Sequence, residues 1–221
     1  HTVTRVEGKS SVSRVEFKKI GKDWSPQGEP SFIDCDCVSL GGGLISAFES
    51  FQLAGISLEH RRDLGGWIPK AEQDGRTNVG GCFVCGDGAG IRGSLAAQTH
   101  GKLAGLSAVV FLGAKINHPI DELRREHTRA ASFGEAMSKL SIPRPGLSKL
   151  TTAQTVVCRC EGITRAEIED EINLGAQSMT SVKSGVRAGM GPCGGKFCQT
   201  AITEFIAKAK SCPVSEIVPP T

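Results

Sequence analysis

"VVCRCEGITRAEIEDEI", residues 156–172, places two cysteines one residue apart, Cys158 and Cys160, directly ahead of a helical stretch. Thr164 and Glu167 have the spacing of a capping box, and Ile163 with Ile168 stands where a hydrophobic staple would, so a helix is predicted from Arg165 to Leu174-Gly175. No acid, histidine or serine here is arranged for nucleophilic chemistry. The stretch offers two soft sulfur donors held close together, and their meaning depends on whether the chain supplies two more.

"RAGMGPCGGKFCQT", residues 187–200, supplies them as a C-x4-C pair, Cys193 and Cys198. Four thiolates grouped two and two suit a tetrahedral zinc or a [2Fe-2S] cluster. Three features favour the cluster. Gly189, Gly191, Gly194 and Gly195 let the backbone bend sharply and turn N–H groups toward sulfur. Arg159, Arg165, Lys183, Arg187 and Lys196 lie close in sequence to offset the cluster's negative charge. Structural zinc sites more often use C-x2-C spacing than C-x-C with C-x4-C.

The chain around this segment reads as globular. Of its 221 residues 39% are hydrophobic and 22% charged, enough for one large domain or two small ones. A net charge of +3, with bases scattered among acids, gives nucleic-acid binding no support. The longest apolar stretch, "LAGLSAVVFLGA", falls short of the ~20 residues a membrane span needs. Nine cysteines without an export signal point to a reducing compartment, the cytoplasm, with membrane association only through partners. The chain starts at His1, as a piece of a longer polypeptide would.

Residues 2–20 alternate apolar and polar on either side of Gly8-Lys9-Ser10-Ser11, the pattern of a hairpin, and a polar loop follows from Gly21 to Pro30. "FIDCDCVSLGGG" and "GGCFVCGDGAGIRG" read as short strands running into glycines. On that basis Cys35, Cys37, Cys82 and Cys85 are expected to pack in strands as small apolar residues, and Cys212 to be an ordinary helix-end residue. A helix is expected over "SLAAQTHGKLAGLSAVVFLG", with Ala97, Gly101, Ala104, Gly105 and Ala108 forming a small-residue packing stripe. A polar helix follows over 118–140, then a proline-containing linker, and a last helix after Cys198 buries Ile202, Phe205, Ile206 and Ala209. His60, His100, His118 and His127 have no partner at catalytic spacing and are expected to be solvated or capping; no catalytic residue is assigned.

Residues 155–198, "TVVCRCEGITRAEIEDEINLGAQSMTSVKSGVRAGMGPCGGKFC", resemble the [2Fe-2S] domain related to bacterioferritin-associated ferredoxin, in the version that ends many flavin-dependent amine dehydrogenases. The resemblance implies that Cys158, Cys160, Cys193 and Cys198 ligate the cluster.

Gly88, Gly90 and Gly93 satisfy G-x-G-x-x-G. No second strand pattern follows their helix, so the unit reads as a closing βα and not as the first unit of a dinucleotide fold. "TNVGGCFVCGDGAGIRGSLAAQTHGKLAG", residues 77–105, resembles the second FAD motif of two-dinucleotide flavoproteins of the disulfide reductase-like family. That resemblance implies a ribityl-binding role for Asp87, with Gly86, Gly88, Ala89 and Gly90 lining the FAD site; a plain helix cap at Asp87 is the alternative.

Together the two motifs resemble the C-terminal part of the larger, FAD-binding subunit of opine oxidases, related proline dehydrogenases and hydrogen cyanide synthase. The implied fold is α/β: a partial FAD/NAD(P)-type flavoprotein domain over 1–113, a helical connector and linker over 114–150, a small mostly α-helical [2Fe-2S] domain over 151–212 and a tail over 213–221. The N-terminal FAD fingerprint of those subunits is missing from this sequence, so a further segment or another polypeptide is expected to complete the flavin site. The implied activity is oxidation of an amino or imino acid C–N bond, with a smaller flavoprotein partner carrying the amine-oxidising site in a hetero-oligomer. A standalone ferredoxin-like module and a zinc-stabilised interaction domain are the alternatives.

Overall fold

The computed structural model describes residues 1–117 and 119–217. In chain order its elements are β1 (Thr2–Gly8), β2 (Val12–Ile20), β3 (Pro26–Asp34), α1 (Glu49–Leu53), β4 (Leu58–Arg61), β5 (Gly66–Pro69), α2 (Ser94–Phe111), α3 (Ile120–Leu140), β6 (Val156–Cys158), β7 (Ile163–Thr164), α4 (Arg165–Asn173), α5 (Met179–Val186) and α6 (Gln199–Ala209). The class is mixed α/β, and every strand pairing among the described residues is antiparallel. The chain forms two compact units, His1–Gly42 with Pro143–Cys212, and Gly43–Ile142 with residues 213–217.

In the first unit the predicted hairpin forms as β1 and β2, and β3 extends it to a three-stranded sheet in the order β1-β2-β3. A Cβ at Gly8 would lie 1.9 Å from the Ser11 carbonyl oxygen, so only glycine fits the turn. β3 starts inside the stretch expected to be loop and ends at Asp34, ahead of both nearby cysteines. Cys37 is therefore exposed and Cys35 half-buried, and neither packs in a strand as expected. The linker folds in part as a 3-10 helix, Pro145–Leu150, whose Gly146 N–H donates to the Asp23 carbonyl at 2.8 Å.

Further along this unit, β6 and β7 make a short hairpin that feeds α4. The capping box is present as expected: the Thr164 hydroxyl accepts from the Glu167 N–H, and the Glu167 carboxylate accepts from the Thr164 N–H at 2.8 Å. Helix α5 was not apparent from the sequence, because its cap is the serine pair Ser178 and Ser181 instead of a Ser/Thr with Glu or Gln. Ile168, Val182, Ile202 and Ile206 from α4, α5 and α6 are fully buried, and such packing is what stabilises helices this short. Ala209, expected inside, is exposed at the helix end.

The second unit buries Ile56, Val84 and Ala89 together, with Phe51, Val79 and Cys82 against them. The strand expected before the glycine turn is reduced to one bridge, Arg76 to Phe83, which leaves Cys85 exposed while Cys82 keeps its packing role. Along α2 the buried residues are Ala96, Thr99, His100, Leu103, Ala104 and Ser107, a 3-4 helical repeat. That face differs from the expected small-residue stripe: of the stripe only Ala104 is buried, and an added Cβ at Gly101 or Gly105 would meet nothing within 4 Å. Helix α3 packs on α2 and presses on the glycine turn instead. A Cβ at Gly134 would fall 1.8 Å from the Arg92 carbonyl oxygen.

Candidate functional site

All four cysteines of the C-x-C and C-x4-C motifs come together within the first unit. Cys158 ends β6, and Cys160 follows in the turn that Gly162 closes with a φ of 72°. Cys193 sits in the glycine-rich turn after α5, and Cys198 is the N-cap residue of α6. Cys198 feels both Cys158 and Cys193, and Cys193 feels Cys160, so the four thiols are electrostatic neighbours. Among the described residues no three His, Cys, Asp or Glu side chains converge as one metal ion would require.

The four thiols differ in exposure. Cys158 and Cys198 are each 1% exposed, whereas Cys193 is half-buried and Cys160 exposed. Burial pushes the Cys198 thiol up to about 12, with neighbouring Cys158 and Cys193 adding to the shift. Cys193 moves the other way. The Phe197 N–H, the Cys160 thiol and the N–H groups of Gly195 and Lys196 hold it below the ordinary thiol range. The Gly189 N–H is 3.4 Å from Cys158 Sγ, and the Cys198 thiol faces the Gly195 carbonyl at 3.7 Å.

Glycine is required where the turn closes on the sulfurs. Gly189 has a φ of 87°, and a Cβ there would lie 2.8 Å from the Met179 methyl carbon. A Cβ on Gly191 would lie 2.1 Å from Cys160 Cβ. Arg187, in left-handed conformation at the end of α5, reaches back to Glu161 at 3.1 Å and ties the glycine turn to the cysteine hairpin. Two of the bases expected to offset cluster charge are thus partnered by carboxylates: Arg187 by Glu161, and Arg165 by Glu169 at 2.8 Å. Arg159 and Lys196 are exposed.

The glycine turn of the second unit lies over Gly86–Ala89 as a 3-10 turn. Asp87 is exposed, and its carboxylate makes no hydrogen bond or ion pair among the described residues; its carbonyl accepts from the Ser46 hydroxyl at 2.9 Å. It caps no helix, since the N-cap of α2 is Gly93 without a side-chain cap. The Arg92 guanidinium donates to the Ala89 carbonyl at 2.9 Å and pairs with Glu135 of α3 at 2.8 Å, which pins the turn. A cavity of about 670 Å³ opens at the start of α2, lined by Gly93, Ser94, Leu95 and Ala96 and by Phe133 and Met137 of α3.

The histidines depart from expectation. His100 and His127 are buried and their rings stack, with a cavity of about 270 Å³ beside them. His60 is half-buried edge-on against Trp67, and His118 lies outside the described residues. The sequence carried a signal for the buried pair: His100 falls on the 96/99/100/103 face of α2 and His127 four residues after Leu123 on α3.

A family model, the BFD-like [2Fe-2S] binding domain, matches residues 156–208. An opine oxidase subunit of Agrobacterium tumefaciens (strain Ach5) is 35% identical over 184 residues, 81% of this chain and 36% of that protein. Hydrogen cyanide synthase subunit HcnB of Pseudomonas protegens is 29% identical over 205 residues, 89% of this chain and 43% of that protein. Among solved structures, L-proline dehydrogenase from P. horikoshii superposes with a TM-score of 0.70 over 99% of this chain and 41% of that one. At 22% identity, that likeness speaks for the fold. The chain spans well under half the length of these relatives.

Proposed function

This chain is a homologue of opine oxidase and hydrogen cyanide synthase subunits, with a BFD-like [2Fe-2S] domain toward its C-terminus, and on that premise we propose that it is the electron-transferring part of a flavin-dependent dehydrogenase. The reaction proposed is oxidation of an amino or imino acid C–N bond. The observation that carries the proposal is the gathering of Cys158, Cys160, Cys193 and Cys198 as neighbours in one unit, with the Gly189 N–H turned to Cys158 Sγ at 3.4 Å. Such a donor set suits two irons, whose thiolate ligands are stabilised by N–H donors. When bound, a [2Fe-2S] group exchanges one electron at a time.

The second part of the proposal assigns the turn from Gly86 to Gly90 to FAD. The Asp87 carboxylate, exposed and unpartnered among the described residues, is free to accept a ribityl hydroxyl. The uncapped N-terminus of α2 presents N–H groups and a positive dipole end to the apolar cavity beside it. This geometry suits a flavin ring and its pyrophosphate better than it suits a structural turn, which would use Asp87 as a cap. The adenosine end of FAD would be held by residues outside this sequence. A smaller flavoprotein partner in a hetero-oligomer, located in the cytoplasm, completes the proposal; both relatives are named as subunits.

No described side chain is assigned as a substrate base, and among the described residues no helix is long and apolar enough to cross a membrane. The test is a visible absorption spectrum of the purified chain with iron, acid-labile sulfide and zinc analysis. Iron and sulfide in equal amounts with cluster bands support the proposal. A colourless zinc protein overturns it, and cluster bands without flavin in the assembled complex reduce it to a ferredoxin-like module.

A further inference from the structure

We propose that the cavity beside the stacked histidines of α2 and α3 is a binding site for a small organic cation, a primary or secondary amine in its protonated form. The site depends on neither the cluster nor the flavin.

The cavity of about 270 Å³ lies wholly within the second unit, lined by residues of β4, β5, the segment 71–73, the glycine turn, α2 and α3. At roughly 30 Å³ for each water of liquid volume, it has room for about nine non-hydrogen atoms. Ile68, Pro69, Ala89 and Ala131 supply apolar lining. Gln73 ties the 71–73 segment to α3, its side-chain amide donating to the Thr128 hydroxyl at 2.6 Å.

Two independent observations give the occupant its chemistry. The first is an orphaned atom. His100 lines the cavity, is 6% exposed, and its Nε2 has no hydrogen-bond partner. Buried polar atoms in folded proteins find partners, and a neutral imidazole nitrogen can offer its lone pair to an N–H donor.

The second is the charge of the lining. Glu59, Glu72 and Glu135 stand against one base, Arg92. Arg92 is already engaged, by Glu135 at 2.8 Å and by the Ala89 carbonyl at 2.9 Å. Arg61, the base next to Glu59 in sequence, is held by both carboxylate oxygens of Asp63, at 2.9 and 2.8 Å. The carboxylates of Glu59 and Glu72 make no hydrogen bond or ion pair among the described residues, so the lining is left net negative. A phosphate or carboxylate would be repelled there. A metal ion would lack ligands, since among the described residues no three His, Cys, Asp or Glu side chains converge as one ion requires. A protonated amine with a short hydrocarbon body answers each feature: its N–H groups reach His100 Nε2, its charge offsets the free carboxylates, and its carbons cover the apolar lining.

The test is a titration of the full chain, its histidines labelled with nitrogen-15, at pH 7. The probes are butylammonium chloride, sodium butyrate, butanol and magnesium chloride, followed through the ring-nitrogen NMR signals of His100 and His127. Butylammonium should move the His100 signals saturably, and the other three should leave them in place. Glu59→Gln combined with Glu72→Gln removes the free charge without breaking a partner and should weaken butylammonium binding by about fivefold. Ala131→Leu places a bulkier side chain in the lining and should abolish binding, which keeps the proposal open to refutation if the double variant fails to fold. An equal response to butanol or butyrate, a response to magnesium alone, or a response to butylammonium that never saturates overturns the proposal and leaves a cavity that holds water only.

Discussion

The imidazoles of His100 on α2 and His127 on α3 lie stacked, ring centroids 4.7 Å apart and planes 24° from parallel. The Thr99 hydroxyl lies within hydrogen-bond reach of the Leu95 and Ala96 carbonyls in its own helix and of His127 Nδ1, at 3.1 Å, across to α3. His100 Nε2 is buried without a partner. Two cations stacked in this position would repel, and the pair is kept neutral.

Acid should therefore weaken the second unit. Burial, aided by His127 and Arg92, lowers His100 to about 4, and burial lowers His127 as well. In the unfolded chain both titrate near 6.5, so below that pH the unfolded chain binds more protons. The contribution of His100 is complete above pH 6.5 and is lost as pH falls toward 4, an effect of up to about 3 kcal/mol. Urea midpoints measured from pH 7 to pH 4 should fall with acid, and His100→Gln should flatten that slope. An unchanged midpoint across the range contradicts the buried neutral pair.

Two glycine-to-alanine changes on neighbouring helices should have opposite signs. At Gly134 the new methyl collides with the Arg92 carbonyl, at a cost of about 2 kcal/mol or more. At Gly101 the methyl meets nothing within 4 Å, and helix propensity gains up to about 1 kcal/mol. Thermal unfolding of the two variants should move Tm in opposite directions.

Asp87→Asn should leave folding intact, because the exposed carboxylate has no partner among the described residues to lose. Flavin retention in the assembled complex should fall, since the amide is a weaker acceptor for a ribityl hydroxyl. Equal flavin content after gel filtration would remove Asp87 from the site.

Gly191→Ala should impair cluster assembly with all four cysteines intact, because the added carbon would lie 2.1 Å from Cys160 Cβ. Its iron content should fall toward that of Cys158→Ala, which lacks a ligand outright. Full iron occupancy in Gly191→Ala would mean that the turn relaxes.

The site was more legible in the sequence than the fold around it. Cysteine spacing and the Thr164–Glu167 box are local signals: the box forms where expected, and the four cysteines of the two motifs lie in one unit. The strands read in "FIDCDCVSLGGG", which ends early at Asp34, and before Cys85 misled in part for one reason: a short apolar run beside glycine has the same composition whether it pairs or merely packs. In α2 the eye follows glycine and alanine, but burial follows Thr99, His100 and Ser107, polar residues whose hydrogen bonds form only once the helix has docked. Asp74, which accepts from Ser107 at 2.7 Å, has no local signature at all.

One further consequence belongs to the three-stranded sheet. Its order leaves β1 and β3 as edges, and β3 displays Phe32 at 50% and Ile33 at 56% exposure. Such a border invites a foreign strand to add itself. Purified alone at high concentration, the chain should self-associate through that border, with light scattering that rises over time and falls with Ile33→Lys. Oligomers seen in such preparations would record adhesion in the tube and would not count native subunits.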